Sequence, residues 1–368
     1  MLASACVGGA RASVALAPAW QLQATRTNAV PATVLHDAAA ITIGIVDTGA
    51  DLTAPDLAPR NVAGWNTRTA TTDVHDTNGH GTFVASIAAD SSGDAQLLIV
   101  KAGSDGGSFT DLDEAAAIVY AIDHGALVVT PSGNDFGAGN PVEYPAALLQ
   151  PVGSNGVGGA GLAVTASSTD GRRAVFANTG SWVSLAAPGD HVFSAVSASS
   201  SPTLYPRTTL PGAKTGLYGY GSGTSFAAPQ VAGAAALVWA ANPALTAQQV
   251  AQILKETASG TGHWTPDLGF GIVNVAAAVA RAQVGGPVGV LLSGRRDKGG
   301  KVKLAWSGDA ASYTLTVATD GRTSSALLAS TKLTSTTLSL KTGHTYVFGI
   351  TALDPTGAPL SSSTLTLR

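Results

Sequence analysis

Cysteine occurs once in this 368-residue chain, at Cys6. That excludes an intramolecular disulfide framework and cysteine-rich metal sites, and a lone thiol near the N-terminus reads as inert. Charge is scarce as well. Only 12% of residues are Asp, Glu, Lys or Arg, the net charge is −3, and no basic block occurs. Neither nucleic acid nor an acidic membrane surface is implied as a partner. Long hydrophobic runs are also missing, since a membrane span needs roughly 18–20 apolar residues. The longest run, VAGAAALVWAA (231–241), follows Pro229 and Gln230 and reads as a buried core helix. Residues 1–19 are small and apolar but have no basic stretch ahead of them, so they read as a weak or truncated export signal. What is abundant is apolar surface, at 45% hydrophobic residues, and glycine, at 44 positions. That profile excludes long disorder and predicts a soluble globular chain with closely packed backbone.

Two kinds of patterning divide the chain. Up to about residue 283, short apolar runs alternate with helical patterns. ITIGIV (41–46), LLIV (97–100), LVVT (127–130) and LAVTA (162–166) suit parallel strands buried on both faces. GTFVASIAA (81–89), DLDEAAAIVYAIDHG (111–125), TAQQVAQILKETASG (246–260) and VNVAAAVARA (273–282) suit helices. Two of them open on capping-box spacing, Thr110 with Asp113 and Thr246 with Gln249. The alternation predicts an α/β sandwich with a mainly parallel sheet over 20–283. Residues 284–287 have linker composition. From 288 to 368 helical patterns vanish, and about seven short alternating segments predict a small β-sandwich with Trp306, Tyr313 and Tyr346 in its core. The pattern of this segment resembles a fibronectin type III module.

Three residues stand out for chemistry. Asp47 ends the first strand, at the edge where α/β sheets build their sites. His80, in NGHGTFVASIAA, opens a helix, and Ser225, in GYGSGTSFAAPQVAG, follows a glycine-rich turn at the first turn of the core helix. A serine hydroxyl is a poor nucleophile until an imidazole takes its proton, and the imidazole keeps the right tautomer when a carboxylate binds its other nitrogen. A helix N-terminus adds a free N–H for the developing oxyanion. Asn134, in VVTPSGND, is a candidate second donor.

The order Asp, His, Ser over these blocks resembles that of the subtilisin-like serine proteases, the subtilases. DTGAD, GHGTFVA and GTSFAAPQVAG look like the family's three triad blocks, PSGND like its oxyanion-asparagine block, and FANTGSWVSLAAPGD (176–190) like a further family strand. The resemblance covers roughly residues 20–283. It implies a three-layer subtilisin-like sandwich, a serine endopeptidase acting on protein or peptide substrates, no cofactor, and secretion, usually with a propeptide. Subtilases often carry structural calcium, but no Asp-rich loop here has convincing ligand spacing, so no metal is assigned. Gly106 and Gly107, in GSDGGSF (103–109), would line one wall of the substrate groove, where glycine permits close backbone approach. Phe83 and Gln230 stand where the family often has histidine, and the other six histidines read as structural.

Two other hydrolase readings fail on the residues. An aspartic protease needs two paired carboxylates, whereas Asp-Thr-Gly occurs once and Asp-Ser-Gly not at all. GTSFA approaches a nucleophile elbow, but an α/β-hydrolase requires an acid and then a histidine after the serine, and His263 precedes Asp267. A non-catalytic subtilase-fold binding protein is the remaining alternative, for a specific reason. The interval from His80 to Asn134 is short by one strand–helix unit relative to the family, and the missing strand would form the other groove wall. If LVVT fills the vacated place, Asn134 moves by roughly 4.8 Å, one strand spacing. An oxyanion donor does not survive that displacement. If the sheet keeps a gap instead, backbone groups at its edges lose their partners.

Overall fold

The computed structural model describes residues 19–367 except 105, 109, 110, 209–216, 286–288 and 298. The export-like segment with Cys6, and the Thr110 cap, lie outside the described residues. The described residues open with two short helices, α1 (Trp20–Ala24) and α2 (Ala32–Asp37). Strands β1 (Thr42–Asp47) and β2 (Val62–Asn66), helix α3 (His80–Ser91), strand β3 (Gln96–Lys101) and helix α4 (Asp111–Asp123) follow. Then come β4 (Val128–Pro131), α5 (Ala146–Leu149), β5 (Gly161–Ser167), β6 (Leu185–Pro188), β7 (Val192–Ala195), β8 (Arg207–Thr208) and β9 (Tyr218–Gly221). Helices α6 (Ala228–Ala241), α7 (Ala247–Glu256) and α8 (Val275–Val284) complete this region.

The parallel sheet is split into two. One half has the order β1-β3-β2 and the other β4-β5-β6, and among the described residues no backbone hydrogen bond joins β1 to β4. LVVT therefore does not take the place of the missing strand; the sheet keeps the gap. The strand burial records this. β5 and β6 are buried at every residue, as expected for parallel strands covered on both faces. β1 instead alternates, with Thr42, Gly44 and Val46 exposed, and Val46 is 48% accessible. The expectation that ITIGIV is buried on both faces fails there: successive side chains point to opposite faces, and α3 and α6, which pack on each other, cover only the face of Ile43 and Ile45.

Helix α6 holds the two halves together. It packs against β1 on one side and against β4, β5 and β6 on the other. Its buried face is mostly alanine, with Val231, Leu237 and Val238 fully covered, so it approaches both half-sheets closely. Pro229 lies in its first turn, where no N–H is required. Helix α7 begins as the sequence predicts: Thr246 accepts from Gln249 N, and the Gln249 side chain returns to Thr246 N.

Beyond residue 288 lie seven antiparallel strands, as the alternation predicts: β10 (Leu291–Arg296), β11 (Lys301–Ser307), β12 (Ser312–Thr319), β13 (Ser325–Thr331), β14 (Ser335–Ser339), β15 (Tyr346–Leu353) and β16 (Pro359–Leu367). They form one sheet in the order β10-β11-β14 and another in the order β13-β12-β15-β16. Trp306, Tyr313 and Tyr346 are buried in a separate apolar cluster with Leu304, Phe348 and Ile350. This region docks on α7. Gln252 bonds Gly289 O at 2.8 Å and the Ser307 hydroxyl at 2.9 Å, while Glu256 accepts Gly289 N at 2.7 Å and pairs with Arg281 at 2.8 Å.

Candidate active site

The C-terminal ends of β1 and β3, the start of α3 and the turn before α6 converge on one place. Asp47 is 7% exposed. Its Oδ1 accepts Thr48 N at 2.7 Å, and its backbone oxygen accepts Ala102 N and Gly103 N from the end of β3. His80 donates from Nδ1 to Asp47 Oδ1 at 2.8 Å, with Oδ2 at 3.0 Å. A carboxylate on Nδ1 fixes the proton there and leaves Nε2 as the basic nitrogen. Burial disfavours protonation of His80, but the Asp47 charge, its hydrogen bond and the Asp76 charge outweigh that, so the imidazole pKa is raised.

Close approach of α3 to the turn after β1 depends on Gly81. A Cβ there would sit 2.2 Å from Gly49 O and 3.1 Å from Asp47 Oδ1. Gly49, with φ +116°, in turn has Val74 O where its own Cβ would be, at 2.3 Å.

Ser225 occupies a 3-10 turn, Thr224–Phe226, just ahead of α6 rather than inside its first turn. The ring of the next residue, Phe226, lies 5.6 Å from the His80 ring, which places the serine turn beside the imidazole. Among the described residues neither the hydroxyl nor the N–H of Ser225 has a hydrogen-bond partner. Catalytic hydrogen bonds are often long in unliganded sites and tighten on substrate binding. Asn134 is clamped against the same turn. Its Oδ1 accepts Thr224 N at 2.9 Å and Thr224 Oγ1 at 3.0 Å, which leaves the Nδ2 hydrogens directed elsewhere. The one-strand displacement of Asn134 has not occurred, because β4 keeps its pairing with β5 and the gap falls on its other side.

Gly106 and Gly107 lie in the loop after β3, closed by Ser104 N to Ser108 O at 2.9 Å. A Cβ on Gly107 would be 3.5 Å from the Asn78 amide, so the loop shares the sheet edge with His80. Of the other six histidines, 36, 75, 124, 191, 263 and 344, four bond an aspartate or a backbone carbonyl at the surface, and His75 adjoins the site through its backbone oxygen, which accepts Lys101 Nζ.

Comparison with known proteins agrees with this architecture. The model of the subtilase family matches residues 38–132 and 121–272, well over half of the chain. The chain belongs to the subtilase family. The two matches overlap over 121–132, the end of α4 and β4, which is where this subtilase sheet is interrupted. Among curated relatives, a thermophilic serine proteinase from Bacillus sp. (strain AK1) is 33% identical over 60% of this chain and 58% of its own length. Thermitase from Thermoactinomyces vulgaris is 31% identical over 60% of this chain and 84% of its own. The fold resembles that of a psychrophilic subtilisin-like protease from the Antarctic psychrotroph Pseudoalteromonas sp. AS-11, with a TM-score of 0.55 and 18% identity over 71% of this chain and 97% of that one.

Several residues that hold the subtilase site together escaped the sequence reading. Asp76 links the turn after Asp47 to the start of α3. Thr224 orients Asn134. Asn178, fully buried in the 176–190 block, accepts Asp135 N at 2.8 Å and donates its own N–H to Gly133 O. Gln230 and Phe83, singled out in the sequence, also pack here: Gln230 Nε2 donates to Pro188 O at 2.6 Å and Phe226 O at 2.7 Å, bracing the serine turn against β6. Phe83 packs edge-on against Phe226, 4.7 Å between ring centroids. The available signals were local: Asp76 precedes His80 by four residues, and Thr224 adjoins the serine.

Proposed function

We propose that this chain is a serine endopeptidase. Ser225 Oγ attacks the scissile carbonyl and passes its proton to His80 Nε2; His80 then protonates the leaving amine, and water hydrolyses the acyl-enzyme by the same route. Asp47 keeps the imidazole in its tautomer. Asn134 Nδ2 and the Ser225 N–H stabilise the oxyanion, and Gly106 and Gly107 line the groove for a peptide or protein substrate. The observation that carries the reading is the Asp47–His80 hydrogen bond, set beside a serine turn to which Asn134 is clamped.

A fluorophosphonate probe is expected to label the chain, and Ser225→Ala to abolish labelling. A folded sample that takes no label favours the second reading, a subtilase fold that binds peptides without cleaving them. The feature on that side is the missing groove strand, reflected in the open edge of β1.

The C-terminal strands support a fibronectin type III-like module occupying 288–368, joined to a peptidase domain over 20–283. The three-plus-four strand order fits such a sandwich. So does Tyr346 at the start of β15, whose hydroxyl reaches back to Lys341 O at 3.3 Å. Secretion belongs to the same proposal. No helix among the described residues is long and apolar enough to cross a membrane.

A further inference from the structure

Asp76 has no exposed surface, yet both of its carboxylate oxygens are engaged beside the candidate site. Oδ1 accepts the Thr48 hydroxyl at 2.9 Å, Asn78 N at 3.1 Å and Gly79 N at 2.9 Å. Oδ2 accepts Thr82 N at 2.8 Å and Thr82 Oγ1 at 2.6 Å. Thr48 Oγ1 in turn accepts Gly81 N at 3.0 Å. One carboxylate thus ties the residue after Asp47 to the residues on both sides of His80. Capping the orphan N–H groups of α3 accounts for the bonds to Gly79 and Thr82. It does not account for the bond across to the β1 turn.

We propose that Asp76 is a positioning residue for the Asp47–His80 pair: it locks the turn after β1 and the first turn of α3 into one register. The proposal rests on the serine-endopeptidase reading. Among the described residues, the charges that act on His80 are Asp47 and Asp76, and Tyr205 and Lys101, the β3 register partner of Asp47, are the neighbouring titratable groups. The Tyr205 phenol is held up by burial and then by Asp47 and Asp76, which places it in the field of both carboxylates. The Lys101 amine is turned to His75 O at 2.6 Å. Removing the Asp76 charge therefore leaves Asp47 alone to support the imidazolium, and the His80 pKa falls.

The test is the rate of fluorophosphonate labelling against pH for the full chain and for Asp76→Asn, Thr48→Val and Thr48→Ser. For Asp76→Asn the rate is expected to fall about 10- to 100-fold, the scale of a misplaced catalytic group. The midpoint of the acidic limb is expected to move to lower pH. A folded Asp76→Asn chain whose rate and midpoint equal those of the unaltered chain overturns the proposal, as does one whose only change is a lower melting temperature. Should Asp76→Asn fail to fold, Thr48 decides. Thr48→Val is expected to label about tenfold more slowly and Thr48→Ser at nearly the original rate; equal rates for both overturn the proposal. An unaltered chain that takes no label refutes the endopeptidase reading itself, an outcome distinct from labelling that the variants leave untouched.

Discussion

Replacing Lys255 by methionine is expected to stabilise this protein at neutral pH. Lys255 lies in α7 and is 3% exposed. Its ammonium donates one described hydrogen bond, to Gly156 O at 3.1 Å, and no carboxylate pairs with it among the described residues. Burial pulls its pKa from the ordinary 10.5 to about 8. At about 1.4 kcal/mol per pKa unit, keeping the charge in the folded state at pH 7 costs about 3 kcal/mol. Methionine retains an unbranched stem of similar length and removes the charge, at the loss of a hydrogen bond worth about 1 kcal/mol. The net gain at pH 7 is therefore about 2 kcal/mol. The pH dependence gives a second signature. Between pH 8 and 10.5 the unfolded lysine still holds a proton that the folded one has lost, so stability of the unaltered chain rises with pH. The variant lacks that rise, and its advantage shrinks over the same window. Urea unfolding at pH 7 and pH 10, in a Ser225→Ala background to prevent self-digestion, measures both effects. A variant less stable at pH 7, or an advantage unchanged at pH 10, refutes the assignment of an uncompensated buried ammonium.

Two further substitutions probe the site. Asn134→Leu removes the Nδ2 donor while filling a similar volume, and is expected to lower kcat about 100- to 1,000-fold with little change in KM on a peptide substrate; an equal fall in affinity instead would place Asn134 in ground-state binding. Gly81→Ala drives a methyl group to 2.2 Å from Gly49 O, a backbone atom with no room to yield. It is expected to separate α3 from the β1 turn, abolishing labelling and lowering the melting temperature, whereas unaltered labelling would show that the two elements tolerate separation.

Much of this molecule is legible in its letters, and the exceptions have a common cause. α7 follows from its capping box, β5 from its short run of apolar and β-branched residues, and the seven C-terminal strands from alternation. Asp47, His80, Ser225 and Asn134 come together because each sits where a strand ends or a helix begins, at one edge of the parallel layers. What the letters leave open depends on neighbours. LVVT is equally suited to either side of a gap, and only its pairing with β5 decides which. ITIGIV has the composition of a strand covered on both faces, yet exposes Thr42, Gly44 and Val46 on the face that α3 and α6 do not cover. Asp76 belongs to no residue pattern that announces chemistry; its importance lies in contacts that exist only once Thr48 and Thr82 are brought to it.

The split sheet also sets the order in which this protein can be assembled. In an unbroken parallel sheet each strand templates the next, and the two ends register through the ladder between them. Among the described residues β1 and β4 share no ladder, and α6, at residues 228–241, touches both. As the chain leaves the ribosome, the segment carrying Asp47 and His80 and the segment carrying Asn134 can each form their own layer early. α6 follows and brings Ser225 with it. Ser225 and the helix that touches both half-sheets thus leave the ribosome together, late in synthesis.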